Sequence, residues 1–561
     1  MTLDLVIRGG TVVDGSGRPR FRGDVGVAGG RIVALGEVDE RGREELDAEG
    51  LFVTPGFVDN HTHLDAQVCW DPLGPAARHG VTSVVAGNCG IGVAPCRDAA
   101  EREIFILPAL AIAEDIHRPT IEAAVAWDWT TFADYMSVVD RLPKGVNFGA
   151  NVGHGALRSY VLGDRAYEPG AATDDDIAAM ARELEAALGA GALGFSSMLP
   201  GASLFTYYGD TPPREQDPRI VCGLAGPAEV DALARVLAAH GRGAIQLGGS
   251  HWDDAVELST TSGLPVQFIF GNGPPSPDLT LDSFTEASAR GARMVASVSC
   301  RPQTSTIGFR ARLPFDRLPG WAELRSRPLE AQRAALTDPN RRAALLHEAR
   351  HGDYGIAHGL AARAPDWEKL SILDHPLPPF DTVAARASAQ GVDPLELFVD
   401  LSLDTDFHQL FSSPQTWDHP RDTWLELLRH PSSVISQADS GAHVAQACDW
   451  VTPTWLLAYW VRQEEEFTWE EGVRMLTSDP AAVWGGLGGR GLLAIGAPAD
   501  LNVFDPATVS PDVPDADTGL PAGGKRLTCE PIGMVATVVG GQVTIREGAH
   551  TGALPGTTLT P

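Results

Sequence analysis

Phe57-Val58-Asp59-Asn60-His61-Thr62-His63 is an apolar run, entered through Pro55-Gly56, that ends in two histidines one residue apart. Successive side chains on a strand point to opposite faces, so His61 and His63 share a face, as do Phe57 and Asp59. Two imidazoles side by side at a strand's carboxyl end make half of a first-row metal site. One histidine near a strand end is commonly just a satisfied polar residue. A pair at this spacing, behind an apolar lead-in, points to metal.

Outward from that strand, short apolar segments alternate with Ala/Leu/Glu-rich helices, the pattern of βα repeats and a parallel sheet. Strands are predicted at 56–63, 82–88, 147–152, 192–197, 244–247, 266–270, 293–299 and 434–438, with helices including 175–190 and 227–240. Eight strands in this order suit a (β/α)8 TIM barrel, an α/β fold whose active-site loops leave the carboxyl ends of the strands. The segment 303–430, rich in Arg, Trp, Pro and His, reads as a helical insertion between strands seven and eight that caps the mouth.

Both ends of the chain have a different grammar. In residues 1–55, Leu3–Ile7 runs into Gly9-Gly10, Thr11–Val13 into Asp14-Gly15, and Asp24–Val27 into Gly29-Gly30, as short strands with tight turns. Residues 487–561 repeat this, with strands over 499–505 and 534–539 and a hairpin at Gly540-Gly541. Neither end builds a good core alone, so the expectation is one small β-sandwich made from both termini, with the barrel over 56–486.

A chain of 561 residues is long enough for a large catalytic domain and an accessory one. Acidic residues outnumber basic ones by 73 to 43, a net charge of -30. That field repels phosphate backbones and anionic lipid, which argues against nucleic-acid and membrane-surface partners. No apolar segment approaches the roughly 20 residues that span a bilayer, and the first ten residues lack a leader's pattern. Seven scattered cysteines do not read as a disulfide framework. The expectation is a cytoplasmic protein with reduced thiols, acting on a small molecule, with homo-oligomerisation left open.

Two further positions join the histidines. Gly87-Asn88-Cys89-Gly90 puts a cysteine at the end of the second strand, where a thiolate is a good zinc ligand, although free cysteine is also a common small buried residue. The eighth strand ends Asp439-Ser440-Gly441-Ala442-His443. An aspartate there can bind metal and take a proton from metal-activated water, although Asp-Ser-Gly is also good helix-capping sequence. Opposite a His-x-His strand in a barrel, catalysis is the better reading.

With these residues in place, the chain resembles the amidohydrolase superfamily, and within it the N-acyl-D-amino-acid deacylase (D-aminoacylase) branch. The resemblance rests on Pro55–His63, Gly87–Gly90, Gly153-His154-Gly155-Ala156-Leu157-Arg158, Gly194–Ser197, Asp439–His443, Gly496–Val503 and Thr551–Gly556. It covers nearly the whole chain and is weakest between about 200 and 430. It implies a distorted (β/α)8 barrel with a β-sandwich, and hydrolysis of an amide by zinc-activated water. His61 and His63 are then first-strand ligands, Cys89 a second-strand ligand, and Asp439 a metal ligand and the general acid/base. Many members of the superfamily bridge two metals with a carboxylated lysine on the fourth strand. Here that strand, Gly194-Phe195-Ser196-Ser197-Met198, has no lysine, as in the deacylase branch; the whole chain has only Lys144, Lys369 and Lys525.

The chain departs from the pattern at strands five and six, where the superfamily carries histidines. Strand five offers only His251, slightly late, which serves equally as ligand or as a surface or substrate-facing residue; strand six has none. One metal ion or two therefore remain open, with zinc favoured by the imidazole and thiolate donors and other divalent metals open. His154, Arg158, Arg301 and His443 are substrate-binding candidates; for Arg158 and Arg301 a structural role is an equal alternative. The reaction expected is cleavage of a linear amide C–N bond, in an N-acyl (D-)amino acid or small peptide-like amide. Opening a cyclic amide or lactam, or the reverse condensation, is the alternative on the same fold. An inactive binding protein is the second.

Overall fold

The computed structural model describes residues 2–198, 221–248, 252–271, 279–354, 364–414, 420–436 and 438–560. Eight parallel strands succeed one another in chain order. They are β1 (Phe57–Asp59), β2 (Val81–Ala86), β3 (Asn147–Ala150, carried on across Asn151 by Val152–Gly153) and β4 (Gly194–Met198). Then come β5 (Ala244–Gly248), β6 (Val266–Gly271), β7 (Met294–Val298) and β8 (Ser433–Ile435). Each pairs in parallel with the next. The circuit returns from beyond β8 to the segment after β1 through a parallel bridge between Thr62 and Ser440. Every residue of β1, β2, β4 and β5 is buried, as expected of a parallel sheet covered on both faces.

The helices that cover the strands are set locally. Thr173 and Asp176 form a reciprocal capping box at the start of Asp174–Gly189, and three aspartates occupy its first turn. Its buried face is Met180, Leu184, Ala187 and Leu188, the spacing of an amphipathic helix. Pro227 opens the helix Pro227–His240 and Gly241, at φ +70°, closes it.

The termini share one nine-stranded sheet. Its seam is the antiparallel pair Phe52–Pro55 with Leu501–Phe504, which joins the start of the chain to its end. A separate apolar cluster including Ile7, Val25, Val53, Leu501 and Val538 fills it. Here the sequence expectation of a turn at Gly9-Gly10 is corrected. Leu3–Val12 is one continuous strand, with a register shift against Phe21–Ala28 between Ile7 and Gly10. Gly9, at φ +68°, supplies a bulge rather than a reversal.

The insertion is also more than helical. Among the described residues, five helices from Pro319–Arg325 to Pro394–Asp404 share a core with an antiparallel sheet of Thr304–Ile307, Leu410–Pro414 and Ser371–Leu373. It has its own core, with Phe309, Phe315, Trp321, Phe398 and Phe411 buried together. Among the described residues no helix is long and apolar enough to cross a membrane.

Candidate metal centre

The segment after β1 stays extended because both its neighbours hold it. Thr62 donates its N–H to Val85 O (3.0 Å) and His63 donates its N–H to Ser440 O (2.8 Å). His61 and His63 therefore project from an extended chain just beyond β1, both nearly fully buried. At the exit of β2, Asn88 Nδ2 donates to Thr62 O (3.1 Å) and Val85 O (2.8 Å), and Cys89 N–H donates to Gln246 Oε1 (2.6 Å). Gly87 sits at φ +73°, where a Cβ would lie 2.2 Å from Asn151 O, so only glycine lets the chain turn there. Gly441 does the same beyond β8: at φ +89° its Cβ would lie 2.6 Å from His63 O. These two glycines allow the second- and eighth-strand loops to close on the histidines.

The result is a convergence of four donors. Ligand atoms of His61, His63 and Cys89 lie within 4.8 Å of one another. Cys89 Sγ is 3.4 Å from His61 Nε2. Asp439 Oδ1 is 3.8 Å from His61 Nε2 and 3.5 Å from His63 Nε2. Cys89 (φ +55°) and Asp439 (φ +49°) both hold left-handed backbone conformations, which non-glycine residues adopt at a cost and which recur at functional sites.

Electrostatically the cluster lacks a positive charge. Burial, with the His63 ring adding to it at His61, pulls His61 and His63 down to about 3, so both are neutral imidazoles at ordinary pH. Burial, then the carboxylates of Glu114, Asp449 and Asp59, pushes Asp439 well above the carboxylate range. Asp439 Oδ1 and the Nδ1 atoms of both histidines are buried without a hydrogen-bond partner. Two neutral imidazoles, a thiol and an unsatisfied carboxylate oxygen are the donor set of a zinc-like cation, and the residues present fit one.

Other expected site residues fall elsewhere. His154 Nδ1 is hydrogen-bonded with Ser197 Oγ (2.8 Å) and its Nε2 with Glu229 Oε1 (2.9 Å), with 1% of its surface exposed. Arg158 is fully buried, paired with Glu229 and donating to Ala166 O and Glu168 O (both 3.2 Å). Both side chains lie in a buried network centred on Glu229, which for Arg158 is the structural ion pair that the sequence offered as its alternative. Arg301 donates to Cys448 O (3.2 Å) and lines a cavity of about 300 Å³ with Thr304, Lys369, His375 and Trp455, which none of the four clustered donors lines. His443 is half-buried at φ +46° on the loop that carries Asp439. His251 lies outside the described residues. Glu114, whose Oε1 is 3.8 Å from His63 Nδ1, is the neighbour that sequence reasoning missed; no motif marks Ala113-Glu114-Asp115.

The profile of the amidohydrolase family matches residues 44–545. The chain belongs to that family. It is 30% identical over 518 residues to the N-acyl-D-glutamate deacylase of Alcaligenes xylosoxydans xylosoxydans, covering 90% of this chain and 88% of that one. Among solved structures it resembles a D-aminoacylase described as defining a novel subset of amidohydrolases, with a TM-score of 0.65 and 22% identity over the whole of both chains. It also resembles the N-acyl-D-glutamate deacylase of Bordetella bronchiseptica in complex with zinc and a phosphonate mimic of the tetrahedral intermediate (TM-score 0.62, 23% identity, full coverage of both). At these identities the two structures establish the shared fold.

Proposed function

We propose that this amidohydrolase is a metal-dependent deacylase that hydrolyses the linear amide bond of an N-acyl-D-amino acid. The observation that carries it is the convergence of His61, His63, Cys89 and Asp439 on one buried point. His61, His63 and Cys89 would hold the cation, with Asp439 beside them; zinc suits those donors and is the metal of the Bordetella relative. When bound, the ion polarises the amide carbonyl and acidifies the attacking water.

With a cation beside it to offset the burial that raises it, Asp439 stays a carboxylate, accepts the proton released as the water oxygen attacks the carbonyl carbon, and delivers it to the amine nitrogen as the C–N bond breaks. Its left-handed backbone and the close approach of Gly441 to His63 O fix the carboxylate against the cluster. We read the eight-strand circuit as a distorted (β/α)8 barrel over 56–486, capped by 303–430, with 1–55 and 487–561 as the two parts of a β-sandwich. A cytoplasmic location suits this small-molecule chemistry.

The test is metal content per chain, measured with hydrolysis of N-acetyl-D-glutamate, its L-enantiomer and dihydrouracil. The proposal expects bound zinc and turnover of the D-substrate. Turnover confined to dihydrouracil would replace it with cyclic-amide opening, and a chain without metal or turnover would make it a binding protein.

A further inference from the structure

The carboxylate of Glu114 has no part in the reaction just described, yet it lies against a ligand. His63 faces two carboxylates from opposite sides of its ring: Nε2 is 3.5 Å from Asp439 Oδ1, and Nδ1 is 3.8 Å from Glu114 Oε1. That Nδ1 is buried and makes no hydrogen bond. A buried ring N–H left unpaired is costly, and an imidazole ligating through one nitrogen fixes its tautomer and orientation by donating from the other. About 1 Å of movement brings Glu114 Oε1 within hydrogen-bond range of Nδ1.

The backbone places Glu114 there with care. It follows the π-helical turn Ala109–Ala113, with its N–H donating to Ala109 O (3.2 Å). π-Helical turns are rare and concentrate at functional sites. Asp115 follows at φ +55° and is tied from both sides. Arg312 of the insertion pairs with Oδ1, and Gln446 Nε2 donates to Oδ2 (3.0 Å). Gln446 belongs to the same loop as Asp439. The Glu114-Asp115 turn thus links a first-strand ligand, the eighth-strand loop and the insertion.

We propose that Glu114 is a positioning residue of the metal centre. It accepts the Nδ1 proton of His63, fixes the tautomer that leaves Nε2 for the cation, and makes that nitrogen a stronger donor. The inference rests on the metal centre proposed above. A carboxylate partner is what it needs, because a bond to a charged acceptor is roughly twice as strong as one to a neutral amide.

The experiment compares wild type, Glu114→Gln, Glu114→Asp and His63→Ala as metal-stripped full-length protein. It measures the zinc Kd by competition with a chromogenic chelator, the metal-free Tm, and kcat and KM at saturating zinc. Loss of a partner of this kind weakens metal binding by about 10- to 100-fold. The expected result is a zinc Kd raised by at least about tenfold in Glu114→Gln, an unchanged metal-free Tm, lower kcat at constant KM, and recovery in Glu114→Asp. A Glu114→Gln variant with wild-type zinc Kd overturns the inference alone, provided His63→Ala has lost zinc. Equal losses in both Glu114 variants, with a lowered metal-free Tm, also overturn it by marking Glu114 as packing. Wild type that takes up no zinc overturns the centre itself, and Glu114's role with it.

Discussion

His63 Nε2 stands 3.5 Å from Asp439 Oδ1, joining the first strand of the parallel circuit to the loop after the last. The backbone makes the same connection, through His63 N–H to Ser440 O. The segments beyond the first and eighth strands therefore meet in backbone and side chain alike. Asp439 is expected to carry proton transfer, a contribution of about 10²- to 10⁴-fold. Asp439→Asn should lower kcat by that order while the metal-free protein melts no earlier, because the change removes a buried, unpartnered carboxylate oxygen. Steady-state kinetics with a melting curve check both halves. An asparagine variant with more than a tenth of wild-type kcat would remove the role.

Metal removal should destabilise the protein in a zinc-dependent way. A ligand that binds only the folded state adds about 2.7 kcal/mol at a hundredfold excess over Kd. Cys89→Ala deletes the thiol 3.4 Å from His61 Nε2 and should shift the zinc dependence of Tm to higher metal concentration. Melting curves across a zinc titration read this directly. Superimposed curves for variant and wild type would show that Cys89 is outside the ligand set.

The residues of the candidate cluster stand out locally in the sequence. His61 and His63 stand one residue apart just beyond an apolar strand, and Cys89 and Asp439 follow strand exits close to Gly90 and Gly441. The parallel strands were legible too, since most are short apolar runs. What sequence lacks is contact across long separations. Glu229, which meets both His154 and Arg158, sits on a helix that reads as an ordinary amphipathic one. Glu114 reaches His63 only because a π-helical turn and a left-handed aspartate aim it. The sheet of the insertion pairs Thr304–Ile307 with Leu410–Pro414 across the intervening helices, which no local periodicity reports. Gly9-Gly10 fits a turn or a bulge equally, and the pairing of the neighbouring strand chose the bulge.

Glu229 is the hinge of the buried network beneath β4. Replacing it by alanine leaves the fully buried Arg158 guanidinium without its carboxylate. Breaking one side of a buried pair costs about 3–5 kcal/mol. Glu229→Ala should therefore lose stability of that order in urea denaturation, while the fraction that folds keeps a near-normal KM. A loss below about 1 kcal/mol, the value of an exposed pair, would contradict the buried assignment.

His79, which hydrogen-bonds with Thr454 and Cys529, offers a pH test. Its ring is fully buried, with Nε2 against Cys529 O (2.9 Å) and Nδ1 against Thr454 Oγ1 (2.8 Å). The carbonyl can only accept, so Nε2 carries a proton. Burial pulls this histidine down to about 4 from an ordinary 6.5. Between those values the unfolded chain binds the extra proton and the folded one does not. The contribution is complete above pH 6.5 and is lost as pH falls towards 4, at up to about 1.4 kcal/mol per pH unit. Asp59 and Asp65, pushed up to about 7 by burial, run the other way, because the folded state binds more protons there between 3.8 and 7. The observable is therefore the difference between wild type and His79→Gln, which keeps those carboxylates. Wild type's advantage should shrink by roughly 1.5 kcal/mol from pH 6.5 to 5. A constant difference across that range would mean that His79 takes up its proton in the folded protein.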